Sequence, residues 1–290
     1  MLAKPDNILL HAMQAEYAVG AFNVSTMEIA QAVVRAAVAK QSPVIIQTSE
    51  GAIEYAGLSM ISGIMRILAE EAAVPVIMHL DHGKKFETVK RCIASGYTSV
   101  MIDNSKLPFA ENIAKTAEVV AYAHEHGVWV EAELGAIVGK EGIKDLHGGA
   151  TPDAFLTNPE QAAEFVERTK IDSLAVSVGT IHGEFSGQEY IRFALLAEVQ
   201  KAIPRTPLVL HGASGIGNED LRKACAYHVS KVNVDTELRV AFEKAVGEYF
   251  TIAHDSYDPR SIVGPARDAM QKVVEDKIDT LGSSGTSAIY

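Results

Sequence analysis

Three histidines, His82, His182 and His211, stand far apart in the 290-residue chain, each at or just after the end of a short apolar run. Three imidazoles plus an open position are the ligand set of a catalytic zinc site. No local motif of the HExxH kind links them, so spacing alone leaves open a metal site and three unrelated side chains. Asp103 and Glu133 close two other runs, and are either further ligands or carboxylates that orient a ligand histidine. The remaining histidines have simpler readings. His124 and His126 sit near a helix C-terminus, where a cation is favoured; His11, His228 and His254 read as surface or helix-end residues, and His79 as a hydrogen-bonded core residue.

Two further segments suggest anion chemistry. His211-Gly212-Ala213-Ser214-Gly215-Ile216-Gly217 leads into a helix, and Asn233-Val234-Asp235-Thr236 leads into the next. Small residues let backbone N–H groups approach an anion, and a helix start favours negative charge. Between Leu134 and Asn158 lies a glycine-rich stretch carrying Lys140, Glu141, Lys144 and Asp145. Loops this long are uncommon in compact domains unless they serve as lids; an idle solvated loop is the alternative.

The elements that must position these residues follow from periodicity. Short β-branched runs occur at Val19–Asn23, Val44–Ser49, Val76–Asp81, Ser99–Asp103, Val128–Glu133, Ser173–Gly179, Leu208–His211 and Ser230–Val234. Amphipathic stretches separate them, as in Ile29-Ala30-x-x-Val33-Val34-x-x-Ala37-Val38, whose three- and four-residue spacing marks one buried helix face. Eight strands alternating with eight helices predict an α/β fold, a (β/α)8 TIM barrel, in a single domain over residues 1–290 with an extra C-terminal helix around Pro265–Asp279. A doubly wound sheet is the alternative, but no GxGxxG follows the first run. Barrel enzymes place their chemistry where strands end. Here those positions are Asn23, Gln47 with Ser49, Asp81 with His82, Asp103, Glu131 with Glu133, His182, His211, and Asn233 with Asp235. All eight strands thus bring a polar residue to one rim, which packing does not require.

Composition narrows the partners. The chain is 48% hydrophobic and 22% charged, with a net charge of −11. That balance disfavours nucleic acid and anionic membranes as partners. No apolar stretch approaches the roughly 18–20 residues of a membrane helix, and no signal-peptide core follows Met1. Cys92 and Cys225 show no CxxC spacing and read as buried hydrophobes. The expectation is a reduced, cytoplasmic protein.

Taken together, several motifs in order resemble the class II, zinc-dependent fructose/tagatose-bisphosphate aldolases over nearly the whole chain. They are Gly20-Ala21-Phe22-Asn23-Val24, His79-Leu80-Asp81-His82-Gly83, Val130-Glu131-Ala132-Glu133-Leu134-Gly135, Gly179-Thr180-Ile181-His182-Gly183, Leu210-His211-Gly212-Ala213-Ser214-Gly215 and Lys231-Val232-Asn233-Val234-Asp235-Thr236. Asp258-Pro259-Arg260 and Gly264-Pro265-Ala266-Arg267 extend the likeness. The resemblance implies that His82, His182 and His211 hold Zn2+, that Asp81 moves the C4 hydroxyl proton, and that Glu141, on the lid, is a second proton-transfer group. Gly183, Gly212, Ala213, Ser214, Asn233, Val234, Asp235 and Thr236 would bind dihydroxyacetone phosphate, with a monovalent cation (Na+ or K+) nearby. Arg260 or Arg267 would meet the distal phosphate, and Asn23, Gln47 and Ser49 line the same rim. Family members are commonly homodimers or homotetramers and serve sugar metabolism, glycolysis included.

The chemistry fits such groups. Cleaving the C3–C4 bond of a ketose bisphosphate leaves an enediolate, which a Lewis acid stabilises. Each general acid–base step adds typically about 10²–10⁴-fold. An imine mechanism would need a reachable lysine, and Lys231 lies at the start of its strand, away from the rim. Two positions pull the substrate assignment apart. Ser186 resembles tagatose-type enzymes, whereas Asp235 resembles the fructose type; fructose 1,6-bisphosphate is the expected substrate and its tagatose epimer the alternative. Asn104 replaces a glycine common after the aspartate of the fourth strand. Two more distant rivals are a metal-dependent hydrolase on the same barrel, which would bring a His-x-His pair after the first strand, and a sugar-phosphate-binding barrel without catalysis.

Overall fold

A computed structural model describes residues 1–135, 138–139, 155–182, 190–252 and 257–290; at 138–139 and 181–182 the backbone alone is described. Eight strands form a closed barrel: β1 (Val19–Asn23), β2 (Val44–Thr48), β3 (Val76–Gly83), β4 (Ser99–Ile102), β5 (Trp129–Leu134), β7 (Ser173–Val176), β9 (Leu208–Leu210) and β10 (Val229–Val234). Neighbours pair in parallel, and closure comes from β1 against β10, with Val19 opposite Lys231 and Phe22 opposite Val234. A separate two-stranded piece, β6 (Val138–Gly139) with β8 (Ile181–His182), lies outside this ring.

The helices follow from the apolar stripes. Thr26 caps α2 (Met27–Ala39), whose Ala30, Val33, Val34 and Ala37 are buried against the sheet. Asn158 caps α7 (Pro159–Thr169), accepting from Gln161 N at 2.9 Å, with Pro159 in the first turn where it loses no bond. The other connecting helices are α4 (Leu58–Glu71), α5 (Phe86–Ala94), α6 (Phe109–Glu125), α8 (Phe193–Ala202), α9 (Asn218–Ala224) and α10 (Thr236–Ile252). No single described helix is long and apolar enough to cross a membrane.

Three elements depart from the sequence expectation. A helix, α1 (Asp6–Gln14), precedes the first strand and covers the N-terminal end of the barrel, with Ile8, Leu9 and Ala12 packed on Val19, Ala21, Ile45 and Ile77. A short helix, α3 (Glu50–Ala56), follows β2, capped by Ser49; seven residues are too few to show a helical period. The C-terminal helix, α11, runs from Pro259 to Leu281, with Pro265 inside it. Reading Pro265 as the helix start set the boundary too late, because Pro259, behind the Asp258 cap, already opens it.

Candidate active site

The site begins with a break in the alternation of β3. His79 pairs with Ser99 and Leu80 with Val100, but the next pairing is Gly83 with Ile102. Two residues, Asp81 and His82, therefore oppose Met101 alone, which is a β-bulge. In a regular strand consecutive side chains point to opposite faces; the bulge turns both inward. His82 takes a positive φ of 45°, an uncommon conformation for a residue with a side chain. The close approach also demands Gly83, since a Cβ there would lie 2.6 Å from the Met101 carbonyl oxygen. The run His79-Leu80-Asp81-His82-Gly83 is thus a backbone device as well as a source of ligands.

Asp81 is clamped from both sides. Asn23 Nδ2 donates to Asp81 Oδ2 at 2.8 Å, and Asn233 Nδ2 donates to Oδ1 at 3.0 Å. Gln47 Nε2 in turn donates to Asn23 Oδ1 at 2.7 Å. Three strands thereby fix one carboxylate. Burial opposes its charge, but the neighbouring His82, His211 and Lys231 and the Asn23 bond hold its pKa down at about 2. Gln47 is fully buried, which sets it behind Asn23.

The imidazoles of His82 and His211 meet edge to face, 4.7 Å between centroids. Each turns one ring nitrogen to a carboxylate: His82 Nδ1 lies 3.1 Å from Asp103 Oδ2, and His211 Nε2 lies 2.9 Å from Glu131 Oε1. An ionised carboxylate only accepts hydrogen bonds, so these outer nitrogens carry hydrogen. The inner nitrogens, His82 Nε2 and His211 Nδ1, face each other at 3.0 Å. Two nitrogens so placed must share a hydrogen or a metal cation. Asp81, His82 and His211 can offer ligand atoms within 4.8 Å of one another, as can His82, Asp103 and Glu133. Glu133 Oε2 is 4.0 Å from His82 Nδ1 and 3.9 Å from His211 Nδ1.

Charge points the same way. Asp81, Asp103, Glu131 and Glu133 are carboxylates shielded from solvent, and among the described residues here Lys231 is their buried ammonium partner. Buried charge is costly unless it is paired. Burial would lower the His82 pKa, yet Asp81, Asp103 and Glu133 drive it up to about 10. Bonds from His82 and Ser105 hold Asp103 well below the usual carboxylate range, against its own burial. A proton is therefore drawn to the point where a divalent cation would fit, and the nitrogen and oxygen donors present suit such an ion.

The other expected residues are placed as follows. Ser49 Oγ accepts from Ala52 N and so serves as a helix cap. Asp103 is fixed by Ser105 N and Oγ at 3.1 and 2.7 Å; Asn104 needs no positive φ here. Gly212 takes a φ of 63° directly after His211, and Ala213 is buried while Ser214 is half-buried. Val234 ends β10, Thr236 opens α10, and Asp235 pairs with Arg239 at 2.6 Å. Arg260 bonds to Asp258, and Arg267 to Asp268 and Gln31; neither is tied to the imidazole cluster by these bonds. For His182 only the backbone is described, paired with Gly139. Glu141, Gly183, Ser186 and most of the expected lid lie outside the described residues. Sequence reasoning also missed that Asn23 and Asn233 both bond to Asp81 and that Gln47 bonds to Asn23 behind it; their common position at strand ends was the signal available.

Comparison with known proteins gives a consistent result. The family description "Fructose-bisphosphate aldolase class-II" matches residues 3–286. The fructose-bisphosphate aldolase of Geobacillus stearothermophilus is 42% identical over 292 residues, covering 99% of each chain. That of Thermus caldophilus is 42% identical over 308 residues, covering 98% of this chain and 99% of the other. Among solved structures, the YdjI aldolase of Escherichia coli K12 superposes with a TM-score of 0.86 at 36% identity, covering 99% of this chain and all of that one.

Proposed function

The chain belongs to the class II fructose-bisphosphate aldolase family, and from that premise we propose that it reversibly cleaves fructose 1,6-bisphosphate to dihydroxyacetone phosphate and glyceraldehyde 3-phosphate with Zn2+ as its cofactor. The observation that carries the reading is the convergence of His82 Nε2 and His211 Nδ1, 3.0 Å apart, beside the clamped Asp81 carboxylate. His82 and His211, with His182, would hold the zinc; Asp103 and Glu133 lie close enough to orient or share it. When bound, the ion supplies a Lewis acid for the negative charge that develops on the ketose oxygens.

The protein's own groups supply the rest. Asp81 is ionised throughout the neutral range, the state that can take the C4 hydroxyl proton as the C3–C4 bond breaks. Asn23 and Asn233 aim its two oxygens, and Gln47 acts through Asn23. Glu141 is assigned the return of a proton to the carbon side of the cleaved bond. Gly183, the loop at Gly212, Ala213 and Ser214, and the segment Asn233, Val234, Asp235 and Thr236 are assigned to the phosphate of dihydroxyacetone phosphate, with a monovalent cation alongside. This follows the usual phosphate position of barrels, after the last two strands. Arg260 or Arg267 takes the distal phosphate. The family likeness supports a cytoplasmic homodimer or homotetramer.

The test is cleavage of fructose 1,6-bisphosphate before and after removal of metal. Excess chelator abolishes turnover and added Zn2+ restores it. Full activity in chelator, with borohydride trapping substrate on a lysine, would overturn the assignment. Ser186 favours the tagatose epimer as a second reading, and the ratio of kcat/KM for the two bisphosphates decides between them.

A further inference from the structure

Below the two imidazoles lies a polar layer for which the reaction above has no use. Lys231, on β10, is only 1% exposed. Its ammonium has three hydrogens and meets three acceptors: Glu131 Oε2 at 2.9 Å, Glu131 Oε1 at 3.2 Å and His79 Nε2 at 3.3 Å. An ammonium only donates, so His79 Nε2 carries the lone pair and His79 Nδ1–H is left for Ser99 Oγ, 2.7 Å away. With its rotamer set from β10, Glu131 turns Oε1 to His211 Nε2 at 2.9 Å. Each nitrogen donor in this layer has an acceptor, and the directions follow from the ammonium, which only donates, and the carboxylate, which only accepts.

We propose that Lys231 and Glu131 are positioning residues: Lys231 anchors the Glu131 carboxylate, and Glu131 holds His211 in the tautomer that offers Nδ1 to a divalent cation. The last clause rests on the metal site of the proposed function. The alternative tautomer would put hydrogen on Nδ1, the nitrogen that faces His82, and remove it as a ligand. A partner that orients a ligand histidine in this way is typically worth about 10–100-fold in metal affinity. Lys231 and His79 add a further layer, which ties the histidine after β9 to β10, β5, β3 and β4.

Two double variants of the full chain separate positioning from simple charge pairing. Glu131→Leu/Lys231→Met removes the pair and the acceptor. Glu131→Gln/Lys231→Met removes the same charges but keeps an amide oxygen for His211 Nε2–H. Zinc affinity is read by competition with a chromophoric chelator, the His211 ring state by 15N shifts of the metal-free protein, and folding by Tm. The leucine variant is expected to bind zinc about 10–100-fold more weakly and to show mixed His211 tautomers, while the glutamine variant stays near the parent in both. Equal zinc affinity in a folded leucine variant overturns the proposal. So does hydrogen on Nδ1 of His211 in the parent protein, a measurement that needs neither variant. If the parent binds no zinc, the proposed function fails, while the ring state still decides whether Glu131 sets the tautomer.

Discussion

At one end of the barrel, Ile8, Leu9, Ala12 and Tyr17 pack on Val19, Ala21, Ile45 and Ile77, all of them buried. At the other, β2 and β3 carry Gln47, Asp81 and His82, and β5 and β10 add Glu131, Glu133 and Asn233, equally shielded from solvent. The apolar end gains stability with every Å² removed from water, roughly 25 cal/mol each. The polar end gains little, because desolvating ion pairs offsets most of their attraction. Its alignment is maintained by the hydrogen bonds that clamp Asp81 and the two imidazoles and by rigid strands, with the stability drawn from elsewhere in the fold. The barrel thus separates the residues that hold it together from those that react, along the length of each strand.

The sharpest way to break this division is Asp81→Ala. Activity is expected to fall about 10²–10⁴-fold while Tm stays close to the parent's, as measured by steady-state kinetics and thermal melts; unchanged turnover would remove Asp81 from its role. Leu9→Ala is the converse. It should cost about 2–5 kcal/mol of stability, seen as a lower denaturation midpoint, with kcat unaltered where the protein is folded. A loss of kcat there would show that the two ends are coupled. Gln47→Leu removes one bond, two residues away from the carboxylate it supports. A single hydrogen bond is worth about 0.5–1.5 kcal/mol, so kcat should drop roughly 2- to 12-fold with little change in KM. Asn158→Ala, at the start of α7, should lower stability by about 0.5–2 kcal/mol through its lost cap, with a smaller effect on kcat than Gln47→Leu.

The thiols give a pH-based check on the apolar shell. Burial pushes Cys92 up to about 12 and Cys225 up to about 11. A raised thiol pKa means less thiolate at any given pH below it, and the thiolate is the reactive form. At pH 8 alkylation should be about 1,000-fold slower at Cys92 and about 100-fold slower at Cys225 than in the unfolded chain, and should recover on denaturation. Rapid labelling of the native protein would indicate local opening of that shell.

Much of this arrangement was legible beforehand. The strand positions shifted by one to three residues at their ends, since the apolar runs recur every few tens of residues and hydrophobic periodicity is a local property. What escaped had no local signature. The α1 helix contacts residues distant in sequence, and α3 is too short to display a period. By sequence Lys231 stands at the start of its strand, away from the rim, whereas its long side chain reaches Glu131 and His79 inside the barrel. A side chain's reach cannot be read from its place along a strand.

By itself the sequence determined the barrel, the rim and the family, because alternation of strand and helix and ordered motifs are written in consecutive residues. The tertiary structure decided which nitrogen of each imidazole faces inward, how Asp81 is clamped and what lies beneath His211. Those depend on a one-residue bulge at Asp81–His82 and on contacts between strands 20 to 152 positions apart. Hydrogen-bond direction is set by partners in space, and only closure of the barrel brings those partners together.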